Sequence, residues 1–183
     1  MIRLFVALSL TNDLRQRLRT LCSGVREARW VEEQNLHLTL RFIGEVEEPE
    51  LAYIMAALSS VQAESFDLTL SGVGHFESRN RIRSLWAGIQ PCSALDALQQ
   101  RIESVLTRHG IAPDGRNFSP HITLARLKQV PSAYVRDWLE GNSCFETSSF
   151  AVEDFTLFES YRARSGAIYT PLQAFPLNRE LVK

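Results

Sequence analysis

The tetrapeptides His37-Leu38-Thr39-Leu40 and His121-Ile122-Thr123-Leu124 stand 84 residues apart in a chain of 183. Both lie in apolar runs, "NLHLTLRFIG" and "SPHITLARLK", that read as buried strands. Successive side chains of a strand point to opposite faces. Leu36, Leu38, Leu40 and Phe42 therefore share one face and His37 and Thr39 the other, while Ile122 and Leu124 stand opposite His121 and Thr123. Each strand gives an apolar stripe to a core and presents an imidazole and a hydroxyl elsewhere.

The surrounding pattern repeats in the same register. "MIRLFVALSL" reads as a first strand: it lacks a small-residue cleavage site and is too short to span a membrane. Behind Thr11, a candidate N-cap, Leu14, Leu18, Leu21, Cys22 and Val25 recur at helical spacing. The first histidine strand follows, then a helix through 50–62 with Pro49 in its first turn. Two strand-like runs, 66–76 and 82–89, are joined by an arginine-rich loop. The order then restarts. Ser93 begins a third helix with Asp96 at the capping-box position and Gly110 as its stop. The second histidine strand, a helix over 132–142 and strands at 150–160 and 167–177 complete the chain. Phe66 and Phe150, at the starts of corresponding strands, keep the 84-residue offset. The period is too long for a solenoid repeat. It predicts a single two-lobed domain over 1–183, with pseudo-repeats at about 11–90 and 93–176 related by a pseudo-twofold axis.

A formal net charge of −1 gives no global attraction to a long nucleic-acid backbone, so any nucleic-acid contact is local. Cys22, Cys92 and Cys144 are odd in number and widely spaced, with no C-x-x-C, which predicts free thiols in a reducing cytosol and no metal site. "GVGHFE" at 72–77 lacks the third glycine and following helix of a dinucleotide site, and no phosphate-binding Walker loop occurs. No cofactor is expected.

Two imidazoles facing one cleft suit concerted proton transfer, because an unperturbed pKa of about 6.5 lets one ring be neutral while the other is protonated. A threonine two residues along each strand lies about 7 Å away on the same face, where its hydroxyl can bind an oxyanion held between the rings. In-line phosphoryl transfer has an attacking oxygen on one side and a leaving oxygen on the other. The symmetry of such a site matches the symmetry of that reaction.

With "RNFSPH" before the second histidine, "RIRSLWAGI" between the motifs and "FTLFES" with "YTPL" near the end, the sequence resembles the two-histidine phosphoesterase superfamily. Within it, the chain is similar over nearly its whole length to the RNA 2′,3′-cyclic phosphodiesterase, or 2′-5′ RNA ligase, family. The resemblance implies a bilobal α+β fold, two pseudo-symmetric lobes with antiparallel sheets lining a central cleft, and metal-independent opening of a 2′,3′-cyclic phosphate on RNA or a nucleoside to a 2′-phosphate, with reverse 2′-5′ ligation. By position it implies His37 as proton donor, His121 as proton acceptor, and Thr39, Thr123 and Arg126 as phosphate ligands. The implied partners are RNA or oligonucleotide ends and nucleotides, with no membrane, for a cytoplasmic monomer. Two other readings stand beside this one: a non-catalytic binder of cyclic or terminal phosphates, and a hydrolase of small cyclic nucleotides such as an ADP-ribose cyclic phosphate.

Arg126 conflicts with simple alternation, which puts it on the core face of Leu124 unless the strand bulges there. Arg41 shares the parity of His37 and Thr39 but has only Ala125 as its counterpart. The resemblance favours Arg126. His75 at a strand end and His109 in a last helical turn are read as structural. Arg79, Arg81 and Arg83 read as a solvated loop able to steer an RNA end, and Trp30, Trp86 and Phe42 as core aromatics able to stack on a base.

Overall fold

The computed structural model describes residues 1–163 and 166–178. Its elements run β1 (Ile2–Ser9), α1 (Asn12–Arg19), β2 (Arg29–Trp30), β3 (His37–Val46), α2 (Glu48–Ser59), β4 (Phe66–Leu68), β5 (Leu70–Ser78), β6 (Arg81–Ile89), α3 (Ser93–Arg108), β7 (His121–Val130), α4 (Arg136–Gly141), β8 (Phe150–Val152), β9 (Asp154–Ala163) and β10 (Gly166–Pro176). Strands order as β10-β9-β1-β3-β7-β6-β5, with β2 alongside β7; β4 and β8 form a separate antiparallel pair.

The main sheet is antiparallel throughout, yet β3 and β7 pair only at Leu38 and Ile122. These two residues are themselves 84 apart, so a pseudo-twofold axis passes through that rung. On either side lie two subsheets, β10-β9-β1-β3 and β7-β6-β5. Each borrows from the other half of the chain: the β5–β6 hairpin, which follows the first histidine strand, pairs with β7, and β9 pairs with β1.

The alternation that gives β3 and β7 an apolar side sends Leu38, Leu40, Ile122 and Leu124 into one continuous core with Leu14 and Leu18 of α1, Leu58 of α2 and Leu98 and Ile102 of α3. All are at most 7% exposed, and each fully buried large aliphatic side chain contributes about 1.5–3 kcal/mol. The side bearing the histidines is left open.

Helix ends follow local chemistry. Thr11 caps α1, its hydroxyl accepting from the Leu14 N–H at 3.4 Å, but the helix stops at Arg19. Leu21 and Val25 are buried from the loop beyond. At the start of α2, Glu47 and Glu50 form the reciprocal capping box with proline in the first turn. Ser93 begins α3 without capping it; Cys92 holds the cap position and makes no side-chain capping bond, its thiol donating instead to Asp67 O at 3.8 Å. At the other end the Gly110 N–H donates to Thr107 O and the Ile111 N–H to Leu106 O, both at 3.1 Å, with Gly110 at φ +89°. That is a Schellman stop at the glycine the sequence points to.

Further elements depart from the sequence expectations. The run 132–142 divides into a 3-10 turn, Ser132–Tyr134, and the short α4. Strands expected at 66–76 and 150–160 each break after the third residue, so that β4 and β8 pair with each other while β5 and β9 join the main sheet. The arginine-rich loop contracts to a two-residue turn at Arg79 and Asn80, both with positive φ, as the twist of a tight hairpin requires. Arg81 and Arg83 belong to β6, with both side chains exposed.

Candidate active site

Antiparallel pairing at Leu38 and Ile122 places His37 opposite Thr123 and Thr39 opposite His121, all four on the open side. Opposed Cβ atoms in such a pair lie about 5 Å apart and diagonal ones about 7–8 Å. The imidazoles take one diagonal and the hydroxyls the other. The four side chains line one cleft of about 450 Å³ with Arg126, Phe42, Arg3, Arg162, Asn35 and Tyr169. A larger cavity of about 530 Å³ behind α1, lined by Arg15, Arg19 and Glu33, contains neither histidine and none of this geometry.

Both rings are held the same way. His37 Nδ1 lies 2.7 Å from Asn35 O, and His121 Nδ1 lies 2.7 Å from Ser119 O. A carbonyl only accepts, so each Nδ1 carries hydrogen and each Nε2 is left for the cleft, as a base when the ring is neutral and as a donor when it is charged. The two carbonyls sit two residues before their histidines and are also 84 apart. Asn35 is tied to β10 by its side-chain amide, which donates to Ala167 O at 2.9 Å.

Aromatic rings fix the imidazole planes. His37 packs against Phe5, at 4.9 Å between centroids, and edge-on to Tyr169 at 5.1 Å. His121 stands edge-on to Phe76 at 4.7 Å and 6.3 Å from Trp86. The Trp86 ring lies across Gly74, where a Cβ would fall 2.3 Å from its carbons, so only glycine fits beneath it. Burial holds both histidines below the usual imidazole range, and the Arg126 charge adds to the effect; their carbonyl partners oppose it.

The conflict between Arg41 and Arg126 is resolved by matched bulges. Going from Ala7 to Val6 on β1, the partner on β3 jumps from Thr39 to Arg41; going from Trp86 to Leu85 on β6, the partner on β7 jumps from Thr123 to Ala125. The extra residues are Leu40 and Leu124, and each resets parity. Arg126 thereby joins Thr123 on the cleft side, and Phe42 leaves the Leu38–Leu40 stripe to join Thr39.

Arg41 turns the other way. It is 4% exposed, paired with Glu103 of α3 and donating to the carbonyls of Phe42 and Ala112. It knits β3 to α3 and takes no part in the cleft. Arg126 on β7 stands directly opposite Arg29 on β2, and neither forms an ion pair among the described residues. Like charges in that arrangement repel, which an anion held beside them relieves.

The remaining sequence candidates fall outside the cleft lining. His75 lies 3.6 Å from Glu77, and His109 ends α3 with Nδ1 2.9 Å from Val105 O. Trp30 packs toward Trp138 at 6.2 Å between centroids. Arg3, Arg162 and Tyr169 reach the cleft from strands outside the two histidine motifs, and of the three only Tyr169 falls in a stretch, "YTPL", that carries the resemblance. Asn35 carried no signal, since its counterpart is Ser119 and both act through a backbone carbonyl.

The LigT like Phosphoesterase family model matches residues 8–86 and 89–169. An RNA 2′,3′-cyclic phosphodiesterase of Archaeoglobus fulgidus is 33% identical, aligned over 95% of this chain and 99% of that protein. The enzyme of that name from Escherichia coli K12 is 32% identical over 97% of each. The crystal structure of E. coli LigT complexed with 3′-AMP superposes with a TM-score of 0.81, at 32% identity, covering 96% of this chain and 98% of that one. Two H-x-T-x strands meeting at one rung thus lie within a fold and a sequence shared over nearly the whole length, and the chain belongs to the LigT-like phosphoesterase family.

Proposed function

We propose that this protein hydrolyses 2′,3′-cyclic phosphate ends of RNA or nucleosides to 2′-phosphates, with the two imidazoles as proton donor and acceptor. The observation that carries the reading is the convergence of two free Nε2 atoms and two hydroxyls on one cleft whose described lining contains no carboxylate. The activity for which its relatives are named supports the choice of substrate.

In this scheme His121 removes a proton from water, whose oxygen attacks phosphorus opposite the 3′ oxygen. The P–O3′ bond breaks, His37 protonates the departing oxygen, and the phosphate stays on the 2′ oxygen. Thr39, Thr123 and Arg126 hold the non-bridging oxygens as charge builds on them. A hydroxyl end in place of water would be joined through a 2′-5′ linkage by the same steps. The acceptor lone pair and the donor proton are both supplied by imidazole, so no metal ion enters the scheme.

The compartment follows from the same reading. The three thiols are unbridged, and burial pushes Cys22 up to about 11, leaving it unreactive at neutral pH. Free thiols suit the reducing cytosol, where the protein acts as a monomer. No helix among the described residues is long and apolar enough to cross a membrane.

The direct test is incubation with 2′,3′-cyclic AMP and with a cyclic-phosphate-ended oligonucleotide in EDTA, followed by identification of the monoester. A 2′-monoester is expected from both. A 3′-monoester would reverse the polarity of attack, and binding without turnover would make the protein a phosphate binder.

The lowered histidines also set the pH dependence. The productive free enzyme carries one proton on the pair, so with both rings below about 6.5 its population grows as pH falls from neutral, until the second proton arrives. The kcat/KM profile is therefore a bell with its maximum on the acid side of 6.5. Bound phosphate offsets the Arg126 charge and favours the imidazolium, so the alkaline limb of kcat lies at higher pH than that of kcat/KM. A kcat/KM that rises from pH 6.5 to 8 would contradict this electrostatic account.

A further inference from the structure

The chain as a whole is nearly neutral, with 20 lysines and arginines against 21 acidic residues. Its cleft is not. Arg3, Arg126 and Arg162 line it with the two histidines and without any Asp or Glu among the described residues. None of the three arginines forms an ion pair among those residues. A cyclic diester carries a single negative charge, already met by Arg126 and the two threonines. Two guanidinium groups are surplus to that need.

Their positions give the surplus a direction. Phe5 touches the His37 ring and stacks on Phe158 at 5.2 Å. Alternation puts Arg3 on the Phe5 side of β1, and Ser160 and Arg162 on the Phe158 side of β9. Arg3 is four residues from Ala7, which pairs with Thr39, or about 13 Å along the strand. Its long side chain lies back over Phe42, which pairs with Phe5 two residues from Ala7, so Arg3 and Arg162 line the cleft just beyond the phosphate held at Thr39. The Arg3 guanidinium sits 4.8 Å from the centre of the Phe42 ring. An aromatic face orients a cation without neutralising it, as a carboxylate would, so Arg3 is held in place with its charge intact for an anion.

We propose that Arg3 and Arg162 bind the phosphodiester immediately 5′ of the cyclic phosphate, making the cleft a site for an oligonucleotide end in preference to a free mononucleotide. The proposal rests on the cyclic-phosphate hydrolysis set out above. Phe42 acts in it as a positioning residue for Arg3. The geometry is that of charge-assisted, forked contacts to phosphate oxygens, which read no base.

The test compares 2′,3′-cyclic AMP with a trinucleotide ending in a 2′,3′-cyclic phosphate, for the wild-type protein and for Arg3→Gln and Arg162→Gln. On the trinucleotide each variant is expected to lose roughly tenfold in kcat/KM, the scale of one hydrogen-bonded charge contact. On cyclic AMP each should stay within about twofold of wild type. The slope of log kcat/KM against log salt for the trinucleotide should flatten by about 0.7 per arginine removed, a change that a merely structural role would not produce. Arg162 is exposed, so its variant guards against a folding defect at Arg3. Equal losses on both substrates, or none on the trinucleotide, would overturn the proposal while leaving the hydrolysis reading in place. If the wild-type protein turned over neither substrate, the hydrolysis reading itself would fail, and this proposal with it.

Discussion

His37→Ala and His121→Ala are each expected to lower turnover of a 2′,3′-cyclic nucleotide by at least about a hundredfold, since a positioned general acid or base contributes 10²–10⁴, roughly. Their side chains are half-buried on the open side of the sheet, away from the core, so both variants should fold. The double variant should lose less than the product of the singles, because the two rings act on one transition state. A substrate whose leaving group needs no proton, such as a nitrophenyl ester, separates the roles. It should partly restore His37→Ala and leave His121→Ala defective. Restoration of His121→Ala would exchange donor and acceptor. Near-wild-type rates for either variant on every cyclic phosphate would make that histidine structural.

Arg126 and Arg41 provide the second large contrast. Arg126→Ala removes the charge that the proposed scheme directs at the non-bridging oxygens, and the loss of one such donor costs about 10²–10³ in rate. Arg41→Ala should leave kcat/KM per folded molecule within a few-fold of wild type. It should instead lower unfolding stability by about 3 kcal/mol, the low end for breaking a buried ion pair, because Glu103 remains 24% exposed and regains some water. Kinetics with active-site titration, together with denaturant unfolding, check both halves. A larger catalytic loss at Arg41 than at Arg126 would mean that the bulges do not set the cleft.

That contrast also marks how far the sequence could be read. His37, Thr39, His121 and Thr123 were legible because they lie within three residues on regular strands, where period-two alternation holds, and because the pattern recurs at a fixed offset. Beyond Thr39 and Thr123 the alternation fails. Leu40 and Leu124 are the residues that reset it, and a bulged leucine looks like any other leucine of the apolar stripe. Phe42 was thus read into the core, and only the family resemblance pointed to Arg126. The broken fourth helix has a similar cause: Val135 and Trp138 are buried at helical spacing, yet a 3-10 turn precedes the helix proper. Arg3, Arg162 and Tyr169 could not be placed beside His37 by local reading, because Arg3 reaches it through the pairing of β1 with β3, and Arg162 and Tyr169 through the pairing of β1 with β9 and of β9 with β10.

That pairing imposes an order in time. On the ribosome, His37 emerges early, but the strand that closes its subsheet begins at Asp154, and the Tyr169 ring that walls one side of the imidazole comes later still. Until those residues are made, β1 has an unpaired edge, and the nascent chain carries one histidine of its pair without its full enclosure. Contacts between residues some 150 positions apart also make the closing step a slow, non-local one. Residues as far along as Tyr169 must therefore be made before the first histidine has its full enclosure.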